Sequence, residues 1–300
     1  MQIDFFRVFR DLVDSQSFSK AAQMNGITQS AVSQQIKAVE TLFRVPLIER
    51  SSKRFDLTRE GELFYKTSKD IVDIFDAFQH QLDEMHNVVT GEIRVSTVYS
   101  IGLHQLPVYL KAFLLAYPNV NIHVEYRRSN QVYEEVANGI SDLGLVAFPA
   151  AKKGLRIDIF KKDKLVVVCA PQHPLAHKKE VRISELAAHK FIAFAIDQPT
   201  RQAIDHIFSK ENVSIRPSME FDNIETLKQA VEINAGMAIV PESAVEKEQK
   251  TGTITILQLH GPAHYRTLGL IYKANRILSP AIKHFLQVFK ESSPEKSIAE

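Results

Sequence analysis

Cysteine occurs once in the 300 residues, as Cys169, so the chain cannot close an intrachain disulfide. That usage fits a reducing compartment. Long uncharged apolar runs are also missing, and no stretch approaches the length of a transmembrane helix. The first residues, MQIDFFRVFRDLVDSQ, are charged throughout and lack the apolar run of a signal peptide. The expected setting is the cytoplasm, with no membrane partner. Without a secretion signal, the glycosylation sequon at Asn212 to Ser214 carries no weight. Net charge is nearly absent: 37 Lys and Arg stand against 35 Asp and Glu. Any electropositive surface must come from local placement and not from bulk charge.

Catalytic signatures are missing as well. There is no G-x-S-x-G elbow, P-loop, G-x-G-x-x-G or C-x-x-C. Cys169 lies inside the apolar run LVVVCAP, which suits a buried, inert thiol. His173 and His177 are four apart, but Pro174 breaks the helical face they would need to share a metal. No enzyme activity, cofactor or metal is expected.

One absence is local: no Asp or Glu occurs from Ser15 to Val39. Around it the pattern is that of short helices. Phe5, Val8, Phe9 and Leu12 fall at i, i+3, i+4, i+7. Ser19 is placed to cap a second helix over Lys20–Asn25. Gly26 gives a tight end, Ile27 a buried plug, and Thr28 the N-cap of a third helix. Val32, Ile36, Val39 and Phe43 line one side of that helix. Ser30, Ser33, Gln34 and Lys37 line the other, with Gln29 at the tip. Helix, glycine turn and capped helix make a helix-turn-helix, whose second helix enters the DNA major groove. Gln and Ser can hydrogen-bond base edges, and small neighbours such as Ala31 permit close approach. A carboxylate on that face would meet phosphate repulsion. Pro46 stops the helix, and LIERSSKRFDL reads as two short strands and a polar turn. Arg50, Lys53, Arg54 and Arg59 can neutralise phosphates there. Singly, each of these residues suits an ordinary solvated surface; together they read as a DNA-binding site.

A long helix follows, capped by Thr58, with Glu60 and Glu62 near its positive end. Phe64, Ile71, Phe78 and Met85 recur every seven residues, with Ile74, Phe75 and Leu82 between them. Such a seam suits pairing with another helix, hence a dimer. Lys66, Lys69, Asp70, Asp73, Asp76 and Asp83 occupy the other side. From Gly91, strand-like and helix-like runs alternate, which predicts a mostly parallel sheet covered by helices. The strand-like runs are EIRVSTV, VNIHVEY, SDLGLVAF, KLVVVCAP, KFIAFA, PSMEF, GMAIVP, TITILQL and YRTLGLIYK. About 210 residues is large for one such sheet, so two lobes are expected. Ser100, Ser129, Thr200 and Asn223 mark strand-to-helix junctions, where parallel α/β sheets bind ligands. Taken singly, each is equally a helix cap, and Thr200 and Asn223 are good caps in any case. Arg127, Arg128 and Arg201 lie near these junctions and would favour an anionic ligand.

The segment SFSKAAQMNGITQSAVSQQIKAVETLFRVPLIERSSKRFDLTREGE resembles the winged helix-turn-helix signature of LysR-type transcriptional regulators. The spacings from the Ala-Ala pair to Ala-Val-Ser, Leu-Ile-Glu-Arg and Leu-Thr-x-x-Gly all match. DLGLV and EINAGMAIVPESAV resemble family patterns further on. Three positions depart from the pattern. Asn25 replaces an apolar residue, whose packing falls to Met24; Ser30 replaces a proline; Gln34 replaces an arginine. The resemblance implies a winged helix-turn-helix domain over 1–58, a linker and dimerisation helix over 59–89, and a two-lobed, periplasmic-binding-protein-like α/β effector domain over 90–300. Lobe I would comprise about 90–162 and 266–300, and lobe II about 163–265. A small-molecule effector would lie between the lobes, lined by Ser100, Ser129, Pro199, Thr200 and Asn223, with Phe148 closing one side. Thr28, Gln29, Ser30, Ser33, Gln34, Lys37, Arg50, Lys53 and Arg54 would contact double-stranded DNA at a pseudo-palindromic operator. The family implies self-association as a dimer or a homotetramer; RNA polymerase is a further candidate partner. A solute-binding module for transport is the alternative. The absent signal peptide and the DNA-binding pattern count against it.

Overall fold

The apolar spacing of the first residues folds as α1 (Ile3–Ser15), which buries Phe6, Val8, Phe9 and Leu12. In this computed structural model the described residues are 3–49, 55–85, 89–274, 276 and 278–291. Arg50, Lys53 and Arg54 fall outside them. Contacts divide the chain into two compact units, Met1–Val89 with Arg276–Pro280 and Thr90–Asn275 with Ala281–Glu300.

In the first unit, α2 (Phe18–Met24) starts two residues earlier than the sequence suggests. Ser17, not Ser19, is its N-cap and accepts from the Lys20 N–H. Gly26 takes φ +63°, a turn that a Cβ would strain. Thr28 caps α3 (Gln29–Phe43) by accepting from Ala31 N–H. Val32, Ile36 and Val39 are buried against α1, while Phe43 is exposed and only its ring meets Phe64. Arg44 ends the helix in the left-handed region at φ 58°. An antiparallel bridge, Ile48 to Leu57, marks the paired segment. Thr58 then caps α4 (Arg59–Met85) by accepting from the Gly61 N–H at 2.9 Å. Gly61 has no substitute here: a Cβ would lie 2.0 Å from the Leu47 carbonyl oxygen.

The sevenfold seam on α4 needs correction. Phe64 packs into the α1 core against Phe5, Phe6 and Phe9 instead of joining a free stripe. Phe75 lies under the Arg7 guanidinium. Asp76 and Lys69, on the opposite side, pair with Arg7 and Asp14 of α1. Of the seam, Ile74, Phe78 and Leu82 stay exposed, and Leu63 joins them. The side chains of Asp83 and Met85 lie outside the described residues.

The second unit begins with β1 (Gly91–Thr97), α5 (Tyr99–His104), α6 (Leu106–Ala116), β2 (Val120–Tyr126), α7 (Ser129–Asn138) and β3 (Leu143–Ala147). Then come β4 (Leu155–Cys169), β5 (Glu180–Val181), α8 (Ile183–Leu186), β6 (Ile192–Phe194), α9 (Pro199–Lys210), β7 (Met219–Phe221) and α10 (Ile224–Glu232). The last elements are β8 (Ala238–Pro241), a 3-10 turn Glu242–Ala244, α11 (Glu246–Thr251), β9 (Thr255–Leu259), β10 (Tyr265–Lys273) and α12 (Pro280–Glu291). The sheet is mixed rather than mostly parallel. β1 pairs in parallel with β2 and β3, but β10 runs antiparallel to β3 and β4.

β4 explains the difference. At about 3.3 Å per residue, its 15 residues span roughly 50 Å. Leu155–Lys164 pairs with β10; Leu165–Cys169 pairs with β8 and β9 in a different part of the sheet. One strand therefore serves two parts of the sheet, and β10 returns beside its first half. Its second half is buried without a break, as the apolar run LVVVC requires. A large core of Val166, Val168, Leu186, Leu227, Val240 and Leu257 surrounds that half.

Candidate functional site

Two surfaces carry the candidate residues. On α3, Thr28, Gln29, Ser30, Gln34 and Lys37 are exposed and Ser33 is half-buried, opposite the buried Val32, Ile36 and Val39. They share one face, as the 100° helical step demands. Not all of their hydrogen-bonding capacity is free. Thr28 Oγ1 caps the helix and lies 2.9 Å from Ser30 Oγ. Gln29 Nε2 reaches Ser33 Oγ at 3.5 Å. The first carboxylate after the acid-free stretch, Glu40, turns inward to accept from the Leu47 N–H at 2.9 Å. The face therefore presents hydroxyl, amide and one ammonium group.

The expected packing of Met24 is absent: that side chain is 55% exposed. Asn25 does different work. Its Nδ2 donates to Asp11 Oδ2, and Asp11 is buried between Asn25 and Arg10. A polar contact replaces the apolar one.

In the second unit, a cavity of about 660 Å³ opens among the loops that follow β1, β2, β6 and β7. A single small molecule fits such a volume. Ser100, Ser129, Pro199 and Thr200 line it. Phe148 and Asn223 do not. Phe148, at φ 51°, is tied by its N–H to the Thr267 carbonyl at 2.7 Å. Asn223 caps α10 by accepting from Glu225 N–H, and its neighbours Asp222 and Ile224 line the cavity instead. Thr200 is buried but caps nothing, because α9 begins one residue earlier, after Gln198.

The arginines near the cavity are all engaged. Arg127 pairs with Glu125 and with Glu135. Burial opposes ionisation of Glu135, but bonds from Ser96, Arg127 and Ser141 outweigh it and hold its pKa below the carboxyl range. Arg128 stands at the cavity, with Nη1 3.3 Å from Asp197 Oδ2 and Nη2 3.3 Å from Asp222 Oδ2. It thus links the β2–α7 loop to the loops after β6 and β7. Arg201 is buried on Asp205, Glu220 and the Phe194 carbonyl, and is not in the lining. Tyr99 and Tyr126 stack at 4.9 Å and add an aromatic wall.

Arg266 and Asp163 are not among the residues that the sequence pattern singles out. Arg266 is 1% exposed and Asp163 4%. They face each other as partners on β10 and β4, and the guanidinium also donates to Ser100 Oγ at 2.7 Å. Burial lowers the Arg266 pKa and Asp163 opposes the shift; an arginine stays charged in either case. An arginine inside the apolar run YRTLGLIYK was the available signal. Among the described residues no cluster of three metal-ligating side chains forms, and no helix is long and apolar enough to cross a membrane.

Residues 3–62 match the family described as bacterial regulatory helix-turn-helix protein, lysR family, and residues 86–294 match the LysR substrate binding domain. The chain belongs to the LysR family. It is a transcriptional regulator built from a helix-turn-helix domain and a C-terminal effector-binding domain. Among relatives of this LysR protein, the transcriptional activator CmpR of Synechocystis sp. is 28% identical over 295 residues, covering 98% of this chain and 97% of its own. The regulator CysL of Bacillus subtilis is 28% identical over 272 residues, covering 91% of each. In fold, a full-length OxyR variant from Pseudomonas aeruginosa superposes with TM-score 0.77 at 19% identity, covering 97% of this chain and 94% of its own. CbnR solved with its target DNA gives 0.64 at 17% identity, covering 98% of this chain and 100% of its own.

Proposed function

We propose that this LysR regulator reads a pseudo-palindromic operator with α3 and is modulated by a small molecule held in the 660 Å³ cavity. The observation that carries the first half is the acid-free exposed face of Gln29, Ser30, Gln34 and Lys37. Thr28 and Ser33 support it from the cap and the flank, and Arg50, Lys53 and Arg54 neutralise backbone phosphates. For the second half, Ser100, Ser129, Pro199 and Thr200 are ligand contacts, supported by their convergence on one cavity. Residues about 90–162 with 266–300, and about 163–265, act as two lobes, with β4 and β10 crossing between them. The exposed stripe Ile74, Phe78 and Leu82 supports pairing of two copies along α4. A dimer of such pairs, as a tetramer, would contact two sites. The protein works in the cytoplasm and catalyses no reaction. Ligand binding shifts a population between two arrangements for which its affinity differs.

The test pairs two measurements on the full chain. A metabolite library is screened by thermal shift, since binding to the native state alone raises stability. Each hit is then added to a footprint of the DNA upstream of the protein's own gene. The expected result is a compound that changes the footprint and loses its effect in Ser129→Trp, which fills the cavity. Footprints that no stabilising compound alters would overturn the ligand-responsive reading.

A further inference from the structure

Two adjacent arginines at the start of α7 divide their work. Arg127 turns back onto Glu125 and Glu135 of its own side. Arg128, the N-cap residue, reaches the other rim of the cavity, with Nη1 3.3 Å from Asp197 Oδ2 and Nη2 3.3 Å from Asp222 Oδ2. All three residues line the cavity. β2 belongs to the eight-stranded sheet, and β6 and β7 form a separate two-stranded one. Among the described residues, therefore, no strand ladder joins the rim that carries Arg128 to the rim that carries its partners.

The two carboxylates are built as one receptor. β6 and β7 pair in parallel, with Phe194 beside Phe221. Just beyond, the Ala195 N–H donates to the Phe221 carbonyl at 2.8 Å, and Gln198 Nε2 donates to the Asp222 carbonyl at 2.6 Å. Asp197 and Asp222 are thus held at one edge, where they repel each other unless a cation stands between them. A guanidinium fork spans two acceptors, whereas an ammonium is a point charge. On its own side, the Arg128 N–H donates to Gln131 Oε1 at 3.1 Å, which fixes the start of α7.

One other polar contact joins the same halves: His104 Nε2 of α5 lies 2.8 Å from Glu225 Oε1 of α10, and it is the more enclosed of the two. The side chains of Arg128, Asp197 and Asp222 are all more than half exposed. Exposed pairs are individually weak and are screened by salt. Contacts of that strength favour a closed arrangement without locking it.

We propose that Arg128 is a clasp across the cavity. It straps the β2–α7 loop to the loops after β6 and β7, holds the two rims together, and releases both carboxylates when the cavity opens. Ser129 follows it in the chain, so release moves a lining residue at the same time. The part of the clasp in ligand entry rests on the cavity being the ligand site; the clasp itself does not.

The test reads the distance between the rims in the full chain, with no ligand added. Spin labels go on Glu134→Cys of α7 and His206→Cys of α9, both exposed, while Cys169 is buried and stays unlabelled. Dilution with unlabelled protein confines the signal to pairs within one chain, and circular dichroism checks that each variant is folded. Wild type at low salt is expected to give one narrow distance. Arg128→Gln should lengthen it by more than about 2 Å, as should Asp197→Asn with Asp222→Asn. High salt should lengthen it in wild type and add nothing in Arg128→Gln. Reversing the charges, as Arg128→Glu with Asp197→Lys and Asp222→Lys, should restore the short distance. An unchanged distance in either neutral variant overturns the clasp, as does a reversed set that stays open. Neither result touches the cavity as the ligand site, which the compound screen tests; a failed screen leaves the distances, and the clasp, standing.

Discussion

Asn25 Nδ2 donates to Asp11 Oδ2 at 2.9 Å and to the Ala21 carbonyl oxygen at 2.9 Å. The side chain joins the turn of the helix-turn-helix to a buried carboxylate on α1. Asn25→Leu would restore the apolar residue usual at this position, yet leave Asp11 short of a donor. We expect a loss of about 1–3 kcal/mol. Urea unfolding followed by helical circular dichroism checks it. A more stable Asn25→Leu protein would mean that Asp11 finds water or Arg10 sufficient.

Gly61→Ala should be worse. The new Cβ meets backbone, the Leu47 carbonyl at 2.0 Å, and not a movable side chain. Overpacking of this kind typically costs about 1–3 kcal/mol, and rigid backbone on both sides puts this site at the upper end. DNA affinity should fall with stability, because α4 and the segment after α3 meet at this contact. A thermal melt unchanged from wild type would show that the α4 start can shift.

On the reading face, Gln34→Ala should change which operator bases are preferred more than it changes nonspecific affinity. Arg54→Ala should weaken binding to all DNA and flatten the salt slope by about one. Competition assays across salt concentrations separate the two. Equal loss of preference from both would contradict the division between base reading and phosphate contact.

Stability should fall as the solution is acidified below the ordinary histidine range. His104 Nε2 lies 2.8 Å from Glu225. Burial nevertheless lowers the His104 pKa, against the pull of Glu225. The folded protein thus favours the neutral ring, so the unfolded chain binds more protons from about pH 6.5 downward, and stability drops there. His173 and His264 are lowered by burial too and add the same sign. Glu225 acts lower. Burial opposes its ionisation, but bonds from Lys228 and His104 outweigh that and depress its pKa. Its contribution is present above the ordinary carboxyl range and is lost as pH falls through the folded value. Unfolding midpoints from pH 8 to 4, with His104→Gln showing a shallower slope above pH 5, check the assignment. A midpoint that rises on acidification would reverse it.

Cys169 should be inert in the native state. It is buried at the end of β4, and burial pushes its thiol pKa up to about 11. A thiol reagent at neutral pH should label it only after denaturation. Rapid native labelling would mean that this core opens.

The apolar pattern made much of this legible. The faces of α1 and α3, the Thr28 and Thr58 caps, and nearly every strand after Gly91 follow from spacing and turn chemistry. What failed did so for long-range reasons. The first half of β4 was invisible because IDIFKKDK alternates with charges, half-exposed beside β10. Phe64 keeps the sevenfold spacing yet faces α1, because that helix, absent from a local reading, reaches it first. The Arg266–Asp163 contact joins residues 103 apart in sequence. Ser100 and Ser129 were found because strand ends are local features; Phe148 and Asn223 were not confirmed as lining because backbone bonding turns each to other work.

The most direct test is a footprint of the folded full-length protein on DNA upstream of its own and neighbouring genes, at several salt concentrations. The account predicts a protected pseudo-palindromic site, retained against excess unrelated DNA and weakened steeply by salt. Binding with no sequence preference at modest salt, by protein shown to be folded, would contradict it.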